Sequence, residues 1–564
     1  MMSPLRCALT AVLLLFAVTP LLAADLLPSV RSRADERSFS RPPDVPDDAA
    51  LEASGAVIGQ IRLIRLNVFD PAIADEDTSL FRLANRIHIV TRGSTIGDQI
   101  LFRAGDRYTA RLLQESERIL RAQPYLRDAH IRPASFRDGV VDIDVITQDT
   151  WTLKPEVQFG RRGGRNTAGI GIEEHNLFGT GARLALLAKS GLERDSKLLL
   201  YSDPNVVGSR WRLDAQYALN SDGNEKEFRL EHPFFALDTH WAGGITVRDE
   251  RRIDSIYDFG QVVDRFATHE QVGTAYLGWS AGLRDGWVLR WTAGVTVDKR
   301  QATSLPEEPA GSALPRDRDL VYPWLGIAWL EDDYREVRNL DQIARTEDLS
   351  FGWQVKLRLG FASPSFGSDR SALVFDGSVS KGVQPDERQT LLLSSTASGR
   401  LEGGSLRDTT VGLAARYHWR QTAQRTLFVG LSAERGIGLD VDTQLTLGGD
   451  NGLRGYPFRY RTGQGRWLMT VEERLFTDWY PFRLFNVGGA VFYDMGRTWG
   501  ANLVAGPAPT DARQGVLRDV GVGLRIGNSR SAIGSVVHVD VSYPLDREPA
   551  KRKLQISVEA KQSF

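Results

Sequence analysis

From about Trp151 to the last residue the chain repeats one pattern, short runs in which apolar and polar side chains alternate, with no convincing helical period between them. In 211–219, Trp211, Leu213, Ala215, Tyr217 and Leu219 share one face, and Arg212, Asp214, Gln216 and Ala218 the other. In 287–298, Trp287, Leu289, Trp291, Ala293, Val295 and Val297 alternate mainly with Arg290, Thr292, Gly294, Thr296 and Asp298. In 351–361, Phe351, Trp353, Val355, Leu357, Leu359 and Phe361 alternate with Gln354, Lys356 and Arg358. The stretches 411–420, 427–435, 516–526 and 537–543 follow the same order. A soluble sandwich or propeller also alternates, but it covers its apolar face with a second layer, and this sequence supplies none. Strands of this length span a bilayer when tilted, apolar side chains toward lipid and polar ones toward a lumen. No segment after the N-terminus has ~18 uninterrupted apolar residues, so a membrane-spanning helix is excluded and any span must be a closed barrel. About twenty alternating segments lie between Leu153 and Phe564, which predicts a mainly β, antiparallel transmembrane barrel of about 16–20 strands over 153–564.

The N-terminus supports export. Arg6 precedes the apolar run Ala8 to Val18, broken only by Thr10, and Pro20 and Ala23-Ala24 follow before Asp25. That charged, apolar, small-residue order predicts a signal peptide over 1–24. The single cysteine, Cys7, lies before the apolar run; it is not placed as a lipid attachment site, and the rest of the chain has no thiol for a disulfide. Lys+Arg total 70 and Asp+Glu 71, a formal net charge of -1, which gives no electrostatic reason to expect nucleic acid. The slightly negative mean hydropathy fits a barrel with a polar lumen as well as a soluble protein.

Ahead of the barrel the texture changes twice. Residues 25–57 are polar and proline-bearing, as in Arg41-Pro42-Pro43-Asp44-Val45-Pro46-Asp47-Asp48, which predicts a flexible periplasmic linker. Residues 58–152 predict a small α+β unit. Ile61, Leu63, Leu66 and Val68 form a β-like run, and Ile87-His88-Ile89-Val90 another. An amphipathic helix follows, with Thr109 as candidate N-cap, Leu112, Leu113, Ser116, Ile119 and Leu120 on one face, and Pro124 as stop. A hairpin then runs from Ala129 to Pro133, turns at Arg137-Asp138-Gly139, and returns with Val141, Ile143 and Val145 alternating with Asp142 and Asp144.

Three short motifs resemble one superfamily, the outer-membrane assembly-pore barrels that include BamA, TamA and the two-partner secretion transporters. Leu447-Gly448-Gly449-Asp450-Asn451-Gly452-Leu453-Arg454-Gly455-Tyr456 is similar to that family's Arg-Gly-aromatic tip on a loop folded into the barrel. Phe492-Tyr493-Asp494-Met495-Gly496 matches its Phe-x-Asp-x-Gly strand motif, with Trp499 following, and Asn176-Leu177-Phe178-Gly179-Thr180-Gly181 resembles its early-barrel turn. The unit 58–152 looks like a single POTRA domain. In 552–564, Leu554, Ile556, Val558, Ala560 and Phe564 share one face, while Lys553, Gln555, Ser557, Glu559, Lys561 and Ser563 share the other; a terminal aromatic there looks like the family's recognition signal. The resemblance implies a template of sixteen strands, the loop arginine, Arg454, set against Asp494, and client polypeptides held at a sheet edge of the POTRA-like unit. It also implies periplasmic or lipoprotein partners beside the lipid bilayer, and no cofactor. Parity agrees, since Phe485, Val487, Val491 and Tyr493 share the lipid face, which turns Phe492 and Asp494 inward. Glu472 and Arg474 face the lumen by the same rule. Gly455 would let the loop turn tightly, and Gly496 would leave room for its approach.

Other patterns carry no chemistry. Gly278-Trp279-Ser280-Ala281-Gly282 matches a hydrolase elbow, but Leu277, Trp279, Ala281 and Leu283 continue a strand and no helix follows. The eight histidines show no H-E-x-x-H spacing, and Glu173-Glu174-His175 reads as a strand end before a glycine turn rather than a metal site. Gly521-Val522-Gly523-Leu524-Arg525 lacks a third glycine and a helix for phosphate. The sequence therefore predicts no enzyme, no catalytic residue and no metal, but a machine that inserts or translocates polypeptides at the outer membrane without ATP. A passive or lipid-handling channel is the alternative, as is a two-partner exporter, which one POTRA-like unit and the lack of an amphipathic plug helix disfavour. Deleting Phe564 should leave signal-cleaved precursor in the periplasm, detected by fractionation; normal outer-membrane yield would contradict the recognition role.

Overall fold

The computed structural model describes residues 39–308, 314–343, 345–500, 515–528, 530, 536–546 and 553–561. The expected signal peptide, residues 25–38 and Phe564 lie outside the described residues.

The α+β unit consists of α1 (Asp48–Ala53), β1 (Val57–Leu66), α2 (Ser79–Ile87), α3 (Gly93–Gly97), α4 (Ala110–Arg121), β2 (Leu126–Arg137) and β3 (Val140–Asp149). Its sheet has the order β1-β3-β2, with β1 parallel to β3 and β2 antiparallel. Asp138 (φ 50°) and Gly139 (φ 77°) both adopt the left-handed conformation, which a two-residue hairpin loop requires. Leu113 and Leu120 of α4 close the core against Leu126, Ile131, Val141, Ile143 and Val145 of the sheet.

This unit starts upstream of the expected linker boundary. Asp47 caps α1 by accepting from the Ala50 N–H at 2.8 Å, Val45 and Leu51 join the core, and Val57 is already in β1. Two apolar residues dispersed among prolines and aspartates were enough to anchor the segment. Thr109 occupies the N-cap of α4 without a side-chain bond; Glu52 of α1 does that work, accepting from the Ala110 N–H at 2.8 Å. The second β-like run is also corrected. Ile87 ends α2, whose cap is Thr78, and Phe81 stacks on Phe69 with ring centroids 4.1 Å apart. Residues 88–90 belong to no strand.

Among the described residues, twenty antiparallel strands close into one barrel, from Leu153–Arg162 to Gln555–Lys561. That is the upper end of the expected range. Five strands follow the loop that carries Arg454: Gly465–Phe476, Phe485–Trp499, Leu517–Asn528, Val536–Pro544 and Gln555–Lys561. The outer face is apolar and exposed, as at Val157, Phe159, Ile170, Leu277, Trp279, Leu325 and Leu413, the side chains that lipid covers. Ser280 lies buried within the strand Gln261–Arg284, beside a bulge, and donates to the Leu289 carbonyl at 2.9 Å. Phe351 departs from its expected place on the lipid face. The strand begins only at Gln354, and Phe351 is buried at the foot of a separate hairpin, Tyr334–Arg338 paired with Thr346–Ser350.

On β2, the His130 ring lies 3.5 Å from Asp128 and 3.5 Å from Glu117 of α4. Asp128 and Glu117 raise its pKa to about 9. A raised imidazole pKa stabilises the fold fully below the unfolded value and loses that contribution as pH rises through the folded one. Protease resistance of α4 in the intact protein should therefore fall between about pH 7 and pH 10. His130→Ala should remove that pH dependence, and an unchanged profile in the variant would refute the role of this histidine.

Candidate functional site

The loop between the strands Arg425–Ile437 and Gly465–Phe476 folds back into the barrel. A short ladder, Leu445–Leu447 with Arg461–Gly463, forms its neck. Asn451 shapes the turn, accepting from Gly448 N–H and donating to the Thr446 carbonyl, both at 2.7 Å. Leu447, Leu453, Tyr456 and Tyr460 bury an apolar foot against Leu517. The Tyr456 hydroxyl donates to Asp546 at 2.7 Å. Gly455 does sit in a tight turn, closed by the Tyr456 N–H donating to the Leu453 carbonyl at 3.0 Å, though its own backbone is not left-handed. Its role is close approach, since a Cβ there would lie 2.6 Å from that of Asp519. A Cβ at Gly496 would lie 3.0 Å from Leu447 of the loop, so that glycine does leave room.

The apolar foot delivers Arg454 to the wall. Its Nε and Nη2 donate to the two oxygens of Asp494 at 2.7 and 2.9 Å, a bidentate pair. Nη1 donates to Glu472 at 2.8 Å, and the guanidinium lies 3.3 Å from the centroid of the Phe492 ring, within cation–π range. Thr470 donates to Asp494 at 2.8 Å. Asp494 is 0% exposed, so these bonds replace water. The structure thus brings Arg454, Phe492, Asp494, Glu472 and Arg474 together, Arg474 Nε donating to the second oxygen of Glu472 at 3.0 Å. Arg525 and Asp540 were missed by sequence reasoning. Arg525 reaches Asp540 at 2.6 Å and Glu472 at 3.3 Å. Both are inward by parity on Leu517–Asn528 and Val536–Pro544, which was the available signal. Asp519, cross-strand neighbour of Asp494, completes the buried cluster.

The barrel closes unevenly. Among the described residues the ladder between the last strand and the first is one pair, Val558 with Arg161. One ion pair, Arg162 with Glu559 at 3.2 Å, crosses beside it. No group of three or more His, Cys, Asp or Glu side chains among the described residues is arranged to hold a metal ion.

No protein-family model and no curated protein matches the sequence. Among solved structures, the chain is similar to BamA from Haemophilus ducreyi lacking POTRA domains 1-3, at 13% identity and TM-score 0.39, over 89% of this chain and 84% of that one. It is also similar to CdiB from Acinetobacter baumannii (12% identity, TM-score 0.43, 90% and 73% covered). For CdiB from Escherichia coli the values are 12%, 0.45, and 90% and 76%. The closed barrel itself stands on its own ladder of strands.

Removing one partner of a buried charge pair typically costs about 3–5 kcal/mol, because the other charge is left unpaired. Arg454→Ala should therefore free the loop to proteolysis from outside while heat-modifiable gel migration still reports a folded barrel. Exchanging the charges, Arg454→Asp with Asp494→Arg, should restore only part of the docking, because Glu472 then faces a carboxylate. A loop equally protected in Arg454→Ala would contradict the latch.

Proposed function

We propose that this chain sits in the outer membrane with its α+β unit in the periplasm and assists insertion or translocation of polypeptides there. The observation that carries the reading is the seam. Among the described residues, a ladder held by a single pair is the place in the ring where a client strand can add with the least loss of established sheet. The α+β unit supplies a first docking edge. Its order, β1-β3-β2, leaves the outer side of β1 open for most of its length, with Leu63 and Ile64 exposed. An extended client gains main-chain hydrogen bonds at such an edge, which makes it the POTRA-like element of the reading. Its exposed flank is also where periplasmic or lipoprotein partners would dock. A passive channel accounts poorly for a loop pinned to the lumen wall by a bidentate arginine. The proposed activity makes and breaks no covalent bond, and so involves no catalytic residue or cofactor.

A disulfide across the seam, Arg161→Cys with Val558→Cys, tests this. The locked protein should let unassembled outer-membrane proteins accumulate in the periplasm, and reductant should reverse that. Full activity of the locked protein would remove the seam from the mechanism and move the reading to transport through the lumen, as in a two-partner exporter.

A further inference from the structure

We infer that the hairpin Tyr334–Ser350 is a plug closing the lumen at the α+β end, latched shut by Arg121 of α4. The connection that contains it is longer than its place demands. At the same end of the barrel, Gln261–Arg284 and Trp287–Ser304 are joined by Asp285-Gly286 alone. The next connection, between Arg318–Glu331 and Gln354–Ala362, runs through residues 332–353 and forms its own two-stranded sheet.

The stem of the hairpin is fixed to the α+β unit. Arg121 donates to both oxygens of Asp348 at 2.8 and 2.7 Å and to Glu336 at 2.7 Å. Within its own helix it pairs with Glu117 at 2.8 Å. It is 7% exposed. One buried guanidinium thus holds three carboxylates that would otherwise repel. Arg118 lies 3.7 Å over the Tyr334 ring, and Arg345 donates to the Leu126 carbonyl at 3.3 Å.

The tip lies inside the barrel. Arg474 donates to the Leu340 carbonyl at 2.9 Å, and Arg416 pairs with Asp341 at 2.9 Å. Ile343 is buried among Phe476, Ala490 and Val536. Those partners are inward-facing residues on several strands across the mouth from the hairpin's roots. Glu347 stiffens the tip by accepting from the N–H groups of Leu340, Asp341 and Gln342. A barrel of 16–18 strands already encloses an aqueous channel, so a ring of twenty needs such a closure if it is not to leak. Because the latch residue belongs to α4 and the plug to the barrel, movement of the α+β unit would withdraw the hairpin.

Single-channel conductance of the full chain in planar bilayers tests the inference without any client, so its failure is distinct from failure of the proposed function. The wild type should stay mostly closed. Arg121→Ala should raise the open fraction by about tenfold, part of what a buried ion-pair set loses with its cation. Replacing 334–350 by a two-residue turn should give a continuously open pore. A Cβ at Gly527 would lie 3.4 Å from that of Ile343, close to the ~3.5–4.5 Å of a disulfide. Ile343→Cys with Gly527→Cys should therefore bridge on oxidation, silence the openings of Arg121→Ala, and release them on reduction. A deletion that conducts like the wild type, or a cysteine pair that does not bridge, would overturn the inference. If the deletion does not fold, the cysteine pair alone decides.

Discussion

Everything in this molecule follows from the absence of water in the bilayer core. Backbone N–H and C=O groups there must be satisfied within the protein, and because no helix among the described residues is long and apolar enough to cross, the solution is a sheet closed on itself. Closure puts every second side chain in a lumen, and a lumen of this size cannot be filled by side chains of the wall alone. The wall is therefore lined with charges, and those charges need either water or counter-charges. Two insertions supply counter-charges, one from each end of the barrel.

They meet at Glu472. One carboxylate oxygen accepts from Arg454, on the loop from the far end, and the other from Arg474, which in turn donates to the hairpin carbonyl of Leu340. Each insertion also has an apolar anchor of its own, the Leu447, Leu453 and Tyr456 foot for the loop and Ile343 for the hairpin. The division of labour is physical. Apolar contacts are non-directional and hold an element in the lumen, whereas the bidentate arginine contacts fix its register. Breaking the ionic part should then loosen an insertion without ejecting it at once.

The barrel was legible because period two is a strong signal over many strands, and Arg454 and Asp494 because their motifs resemble those of the assembly-pore barrels, with parity turning Asp494 inward. The parts that were not legible share one cause, that local pattern does not report which partner covers a residue. Phe351 and Trp353 extend the alternation of a true strand, so the period could not separate the foot of a hairpin from the barrel wall. Arg525 and Asp540 were passed over, since nothing local says that an arginine from a distant loop will reach the same carboxylates. Val45 and Leu51 sit in a segment whose prolines and aspartates suggest a linker, and only the cavity left by α4 and the sheet makes them core. Thr109 is a good cap by type, yet Glu52 reaches the helix terminus first.

The seam and the latches make opposite demands on stability. A ring gains from every ladder pair, and among the described residues the last strand is joined to the first by one. Such a joint persists only if the strands on either side are held by something else. The lumen cluster is placed to do that. Asp494, Arg525 and Asp540 lie on three consecutive strands that lead to the last one, and Arg454 ties them to a loop whose neighbours touch the first hairpin of the barrel, where Phe458 N–H donates to the Gly163 carbonyl at 2.9 Å. The loop thus bridges the two sides of the seam from within. Ring integrity can rest on this internal brace where the described residues of the outer ladder make a single pair, and an event that moves the brace is felt first at the seam.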